Sequence, residues 1–536
     1  MNAEGEGQKK QCCDKPIKAE ISANRSNITI LMMIVFLGLG VRLVGWNIID
    51  TIYRDTVGYI ECAAKWQQSH FLKSSYQEPL HILVIRTAHR LLFPHESVGV
   101  PLNPASWELA AVTADILFSL GSIMVLYGLG KRLHSPAAGL WAAFFLAIQP
   151  FGVIYAINGL TEPVYVFFML TSLYFALTAN PHCKFHFFLI GMWMFLSLLV
   201  RKDGIILPGV IGAYIFVLKE VKFIGKIKLF FSFLLGIVFV TGVFLLIGGQ
   251  FNWLGYFVFA VDWNAIFQKT LFRSAGDTAM ILATMRNPHW LEILYLPPAG
   301  WVKLAGYFPA IFFMMFLCKR GNFHFNRSAL LFVFAFFFQL ALVYAFTVKF
   351  DFFTTRYLYP ATVVVFPVAG AVLAHLLGNL NAKMRQGNII QVSVVAGGII
   401  FITLVSTLMV SCFHLRRPEI QAAAQWLAVN TPTDSVVGVT DNRIGFYCRR
   451  APHFISEYFY EDILRSMLSS TQLDRCYLAV YFDKKEPKEI HQRLMNVATL
   501  FKFEPVLVKS VDFPKKQVDL YKLRSLPPAA PATQSR

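Results

Sequence analysis

Charge is what this sequence has least of. Only 15% of its 536 residues are Asp, Glu, Lys or Arg, against 56% hydrophobic, and the mean hydropathy is +0.52. A soluble domain carries about 25% charged residues. The deficit excludes an ordinary soluble enzyme, a disordered chain and a collagen-like fibre. Acidic residues are the scarcer sign, 31 against 49 basic, an excess of 18 positive charges. In a soluble chain that excess would suggest nucleic acid. Here the basic residues fall in short loops between apolar runs, where membrane topology and anionic headgroups account for them, so no nucleic-acid partner is expected. The eight cysteines are scattered, with one adjacent pair (Cys12, Cys13) and no C-x-x-C. That argues against a zinc site or a disulfide framework, although Cys448 and Cys476 share a soluble segment and could pair in an oxidising compartment. Walker and G-x-G-x-x-G motifs are absent, so direct ATP or NAD chemistry lacks support. No internal repeat points to an inverted-repeat transporter.

What is present is a series of long apolar runs. A bilayer core of about 30 Å needs about 20 helical residues. Residues 28–47, 107–130, 137–157, 162–179, 185–200, 204–218, 229–249, 300–318, 328–347, 357–378 and 388–412 qualify, about eleven spans in an α-helical polytopic membrane protein. With residues 1–27 as a cytoplasmic tail, the inner loops hold Lys131 and Arg132, Lys184, the four lysines 219, 222, 226 and 228, Lys319, Arg320 and Arg327, and Lys383 and Arg385. This is the positive-inside pattern. Three soluble parts then face outward: loop 48–106, loop 250–299, and residues 413–525. The last reads as a small α/β domain, with a helix over 418–429 and strands over 435–440, 476–482 and 505–511, followed by a Pro/Ala-rich tail, 526–536. Within the first loop, Glu78-Pro79 precedes an apolar stretch bearing Arg86, His89 and Arg90, which fits a helix lying in the interface rather than a span.

Two outer loops, Arg201-Lys202-Asp203 and Lys349 to Arg356, oppose this pattern and need another reason, and a few other charges stand out on their own. Asp55, just beyond the first span, sits where it could take a proton from an acceptor hydroxyl, with Arg54 beside it to keep it ionised. Arg201-Lys202-Asp203 and Arg356 lie on the outer side at the depth of a lipid phosphate, which guanidinium and ammonium groups hold well. Arg42 lies near the outer end of the first span, where an ionisable residue is a functional candidate. Tyr59, Glu78, Glu162 and Tyr357 are further candidates for substrate contact, though helix capping explains Glu162 as well and interfacial anchoring explains Tyr357. Asp262, Asp277, Arg286 and His289 could line a cavity in the second loop, without metal-ligand spacing. His81 and His89 are two helical turns apart with no matching acid, so a zinc site there is not expected.

In order and topology these motifs resemble a known family. Arg42-Leu43, Arg54-Asp55 with Tyr59 four residues on, Glu78-Pro79-Leu80, Thr161-Glu162-Pro163, Arg201-Lys202-Asp203-Gly204 and Arg356-Tyr357-Leu358-Tyr359-Pro360 are similar to those of the C-type (GT-C) glycosyltransferases, polytopic enzymes that use polyprenyl-phosphate sugars. So are Ala424-Gln425-Trp426-Leu427, Asn430-Thr431-Pro432, Asp441-Asn442-Arg443-Ile444 and Phe446 to Arg450. The likeness extends to bacterial members such as protein O-mannosyltransferases and the aminoarabinose transferase of lipid A. The resemblance implies a bacterial inner-membrane enzyme of the cell envelope, N-terminus cytoplasmic and C-terminal domain periplasmic. It implies Asp55 as the catalytic acid, and outer-side Arg and Lys residues (here Arg201, Lys202 and Arg356) on the donor phosphate. The acceptor would be a lipid, a protein or a glycan. A direct displacement with Asp55 as base would invert the anomeric centre. One departure is Thr56, where many relatives carry a second acid. A single carboxylate is a poor divalent-cation site, so a metal would need Asp55 with Glu61 or Glu78; no other cofactor is expected. The alternatives are a flippase or transporter of lipid-linked sugars and a non-catalytic partner in envelope-glycan assembly.

Overall fold

The computed structural model describes residues 4–65, 78–96, 103–248, most of 297–318, 328–350, 355–383, isolated positions between 397 and 408, and most of the elements within 416–525. Loop 250–296, most of the run 388–412 and the tail 526–536 lie outside the described residues, and with them Asp262, Asp277, Arg286 and His289.

Among the described residues the apolar runs form helices. In chain order they are α1 (Glu4–Ile48), α2 (Arg54–Lys65), α3 (Pro79–Leu92), α4 (Pro104–Leu133), α5 (Pro136–Ile148), α6 (Pro150–Ile157), α7 (Thr161–Thr178), α8 (Lys184–Val200), α9 (Ile206–Val217), α10 (Phe223–Gly248), α11 (Phe308–Cys318), α12 (Ser328–Phe350) and α13 (Tyr359–Lys383). Among the described residues four helices are long and apolar enough to cross a membrane, or five if the α5–α6 pair, bent by 55°, is one span. That pair replaces the unbroken run expected over 137–157. Pro150 cannot donate to the preceding turn, and the Gln149 side chain instead accepts from Gly152 N and donates to Leu304 O at 2.7 Å. The run expected over 204–218 is likewise a 3-10 turn, Lys202–Ile205, followed by the short α9. Tight packing is helped by small residues: Gly191 of α8 and Gly236 of α10 each meet the other helix's backbone, at Phe233 O and Phe188 O, so closely that no Cβ would fit.

The chain's path sorts the charges. Helices α4, α7 and α9 run away from the end that carries residues 54–59 and 158–162, and α8 returns to it at Arg201. The turns at 131–136, 178–184 and 218–223 are therefore at the opposite end.

The C-terminal segment contains α14 (Pro418–Asn430), β1 (Val436–Val439), α15 (Asn442–Tyr447), β2 (Pro452–Phe454), β3 (Cys476–Asp483), β4 (Phe503–Asp512) and β5 (Lys516–Ser525). They make a five-stranded sheet in the order β2-β1-β3-β5-β4, with β1 parallel to β2 and β3 and with β5 antiparallel to β3 and β4. Strands β2 and β5 were not expected from the sequence. Alternate residues of β3 enter two cores: Tyr477 and Ala479 pack under α14 with Cys448, whereas Cys476 and Leu478 pack on the other face with Leu494. Cys448 and Cys476 thus lie on opposite faces of the sheet and form no disulfide with each other, which overturns the pairing the sequence allowed.

This segment docks on the outer loop of the helical part. Arg416 Nε donates to Ile48 O at 3.1 Å, Gln421 donates to Asp50 O, and Asn442 Nδ2 donates to Arg54 O at 3.0 Å. Tyr447 Oη accepts from Ile52 N at 3.0 Å and donates to Glu108 at 2.9 Å. Phe446 completes the apolar cluster of Ile52, Val57 and Ile60.

Candidate functional site

The site grows from the first turn of α2. Asp55 lies there, where the helix dipole favours an anion, and its side chain is 49% exposed. Its Oδ2 accepts from Arg356 Nη1 at 2.5 Å. Arg356 comes from the 3-10 turn Thr355–Leu358 that leads into α13, and its Nε also donates to Glu162 Oε1. Glu162, in the first turn of α7, is fully buried. Its same oxygen accepts from Arg201 Nη1 at 2.5 Å. Arg201 then grips Asp203 Oδ2 through Nη2 at 2.6 Å and Nε at 3.1 Å, and donates from Nη1 to Thr161 Oγ1 at 3.2 Å. Its guanidinium lies 5.6 Å over the Tyr357 ring.

The result is a ladder of alternating sign, Asp55–Arg356–Glu162–Arg201–Asp203, open to water at the Asp55 end and buried at the other. It holds one more carboxylate than guanidinium. Close ion pairs of this kind survive burial only because each charge is matched and hydrogen-bonded. The adjacent acids keep the Arg201 guanidinium firmly protonated against the effect of its burial.

Three more expected residues border the ladder. Glu78, at the start of α3, is half-buried; burial pushes its carboxyl up, against the pull of Arg201 and Lys202. Lys202 is half-buried too; burial pushes its ammonium down, against Glu78 and Asp203. Tyr59 is buried and lies in the fields of Glu78, Arg356, Asp55 and Glu162. Burial holds its phenol firmly protonated.

Other expectations are corrected. The cation placed on Asp55 is Arg356, not the adjacent Arg54, whose carbonyl is held by Asn442. Arg42 is structural: it is fully buried and donates to Ser119 Oγ, Gly38 O and Ala147 O, joining α1 to α4 and α5. Thr56, in place of a second acid, donates to Asn158 O at 2.6 Å and to Gly159 O at 3.1 Å. Gly159 has φ +69°, and a Cβ there would strike Thr56. Glu61 lies on a later turn of α2 beside Lys65 in charge, and burial pushes its carboxyl up. Among the described residues no three His, Cys, Asp or Glu side chains are grouped to hold a metal ion.

Sequence reasoning missed the acids that meet the two histidines. His81 Nε2 lies 3.3 Å from Asp115 of α4, both fully buried, with the His81 ring edge-on to Tyr59 at 5.1 Å. His89 Nε2 lies 3.0 Å from Glu96, with its ring stacked on Trp107 at 3.8 Å. Asp115 is, with Glu108 at the outer start, one of two acids inside the run 107–130 and the deeper of them, and that was the available signal.

Residues 105–247, which carry Glu162, Arg201, Lys202 and Asp203 but not Asp55 or Arg356, match the family described as dolichyl-phosphate-mannose-protein mannosyltransferase. No curated protein matches the chain in sequence. In fold the chain is similar to ArnT from Cupriavidus metallidurans bound to undecaprenyl phosphate, with a TM-score of 0.57 and 15% identity over 91% of this chain and 97% of that one. It is also similar to the oligosaccharyltransferase of Archaeoglobus fulgidus in the apo form, with a TM-score of 0.51 and 11% identity over 86% of this chain and 70% of that one. The same enzyme tethered to an acceptor peptide containing the NVT sequon gives a TM-score of 0.51 and 13% identity over 86% and 69% of the two chains.

Proposed function

We propose that this chain, a glycosyltransferase of the GT-C class, moves a sugar from a polyprenyl-phosphate donor to an acceptor hydroxyl at the outer face of a bacterial cytoplasmic membrane. The observation that carries the reading is the ladder: a water-exposed carboxylate, Asp55, tied through Arg356 to buried charge that fixes its position. The solved relatives include one bound to undecaprenyl phosphate, which supports a lipid-phosphate donor. The placement of Asp55 and of the docked sheet at one end of the bundle, with the basic turns at the other, supports an outer-face site and a cytoplasmic N-terminus.

At rest Arg356 pairs with the Asp55 carboxylate. A donor phosphate entering beside Arg356 and Lys202 competes for the guanidinium and leaves the Asp55 carboxylate free to accept a proton. The acceptor oxygen then attacks the anomeric carbon. The new C–O bond forms as the bond to phosphate oxygen breaks, with the electron pair leaving on the phosphate and the proton passing to Asp55. Arg356 and Lys202 stabilise the growing phosphate charge. Arg201, already holding Glu162 and Asp203, acts by fixing Arg356 through Glu162. A single displacement of this kind inverts the anomeric configuration.

The test is transfer of labelled sugar in proteoliposomes supplied with polyprenyl-phosphate sugars and a membrane extract of acceptors. Asp55→Asn is expected to lose at least about a hundredfold in turnover, as a missing general base does. Full transfer by that variant would overturn the assignment. Passage of intact donor lipid across the bilayer without release of polyprenyl phosphate would favour a flippase instead.

A further inference from the structure

A cavity of about 570 Å³ opens between α9 and α12. Its walls are Val210, Ala213 and Val217 of α9 and Leu330, Phe334 and Phe338 of α12. Val217, Phe334 and Phe338 are about half exposed although apolar. The groove closes at one end on Tyr214, Lys219 and Glu220. There the segment from Lys219 to Lys228 brings four lysines against one acid. Lys226 Nζ donates to Phe216 O at 2.7 Å, which pins this basic segment to the last turn of α9. Lys219 and Glu220 are exposed.

We propose that this groove is a binding site for an anionic phospholipid. An acyl chain lies along the apolar walls, and the headgroup phosphate sits at Lys219 with Lys222 beside it. Charge decides the occupant. A volume of this size is typical of ligand sites, and basic pockets between membrane helices take anionic headgroups. Glu220 at the same rim tolerates a headgroup only because the lysines outnumber it. The site is separate from the proposed donor position. The 12 residues of α9 put about 18 Å of helix between the groove's basic end and Arg201–Asp203.

The test uses the full chain, stripped of lipid and re-equilibrated with mixed micelles of phosphatidylglycerol and phosphatidylethanolamine. Retained lipid is counted by native mass spectrometry. Wild type is expected to keep phosphatidylglycerol several-fold over phosphatidylethanolamine. Ala213→Trp, which fills the groove, is expected to lose the retained lipid, whereas Leu117→Trp on exposed α4 surface is expected to keep it. Lys219→Gln with Lys222→Gln, both surface changes, is expected to abolish the preference. No preference in wild type, retention by Ala213→Trp equal to wild type, or an unchanged preference in the double variant would each overturn the proposal. The readout is lipid bound, not sugar transferred, so it stands apart from the transferase reading.

Discussion

Glu162 is the residue on which the ladder turns. One of its oxygens accepts from two guanidiniums, and its side chain has no contact with water. Removing one member of a buried pair costs about 3–5 kcal/mol, because the partner charge stays buried. Glu162→Gln is therefore expected to lower the thermal midpoint clearly and to abolish transfer, with Arg356 no longer fixed against Asp55. A variant with wild-type melting and activity would show that the two guanidiniums are held by other means. Arg201 illustrates what a sequence does and does not reveal. A charge that opposed the topology pattern marked it correctly as unusual, yet its partners, Glu162 from 39 residues earlier and the neighbouring Asp203, make it a strut. Arg42, marked as an ionisable residue within a span, is bonded to Ser119 and three carbonyls. Backbone acceptors carry no mark in a sequence, so a buried arginine reads the same whether it meets a ligand or a turn of helix.

Between elements, the decisive contact is α15 against the segment that leads into α2. Tyr447 accepts from Ile52 N and donates to Glu108, and Asn442 holds Arg54 O. These bonds flank Asp55 without touching it. Tyr447→Phe leaves the Ile52 N–H unsatisfied, a change of about 1–3 kcal/mol for a buried donor. The expected outcome is a lower kcat with KM less affected, and unchanged circular dichroism from the sheet. An equal rise in KM would point to acceptor contact instead. Elements of strong period were legible: α14 and strands β1, β3 and β4 lie where alternation or helical spacing put them. Strand β5 was not, because it lies between β3 and β4 and buries residues on both faces, Leu520 and Tyr521 in succession, which blurs the period of two. The break at Gln149 was missed because a membrane-length apolar run masks a proline that ends a helix.

For the whole molecule, pH acts through the seam between α3 and α4. His89 is buried against Trp107, and burial pushes its imidazole below the ordinary value of 6.5. Burial alone would raise the Glu96 carboxyl, but hydrogen bonds from Ser106, Asn103 and His89 hold it low. Below pH 6.5 the unfolded chain takes up a proton at this histidine before the folded one does, so stability present above 6.5 is lost as pH falls toward the folded value. Melting curves from pH 7.5 downward are expected to show this loss. His89→Gln, which can still donate to Glu96, is expected to flatten it, and an unaltered slope would place the sensitivity elsewhere.

The ladder also has a history within each newly made chain. Glu162 meets Arg201 only 39 residues later, but Arg356 lies 194 residues beyond Glu162 and 301 beyond Asp55. During synthesis the inner rungs can close early, while Asp55 waits for a residue not yet added to the chain. A nascent or truncated polypeptide thus carries the acid without the cation that poises it. On the proposed mechanism competence would arrive late in biogenesis, because the order in which the chain is made leaves the pairing with Arg356 to the end.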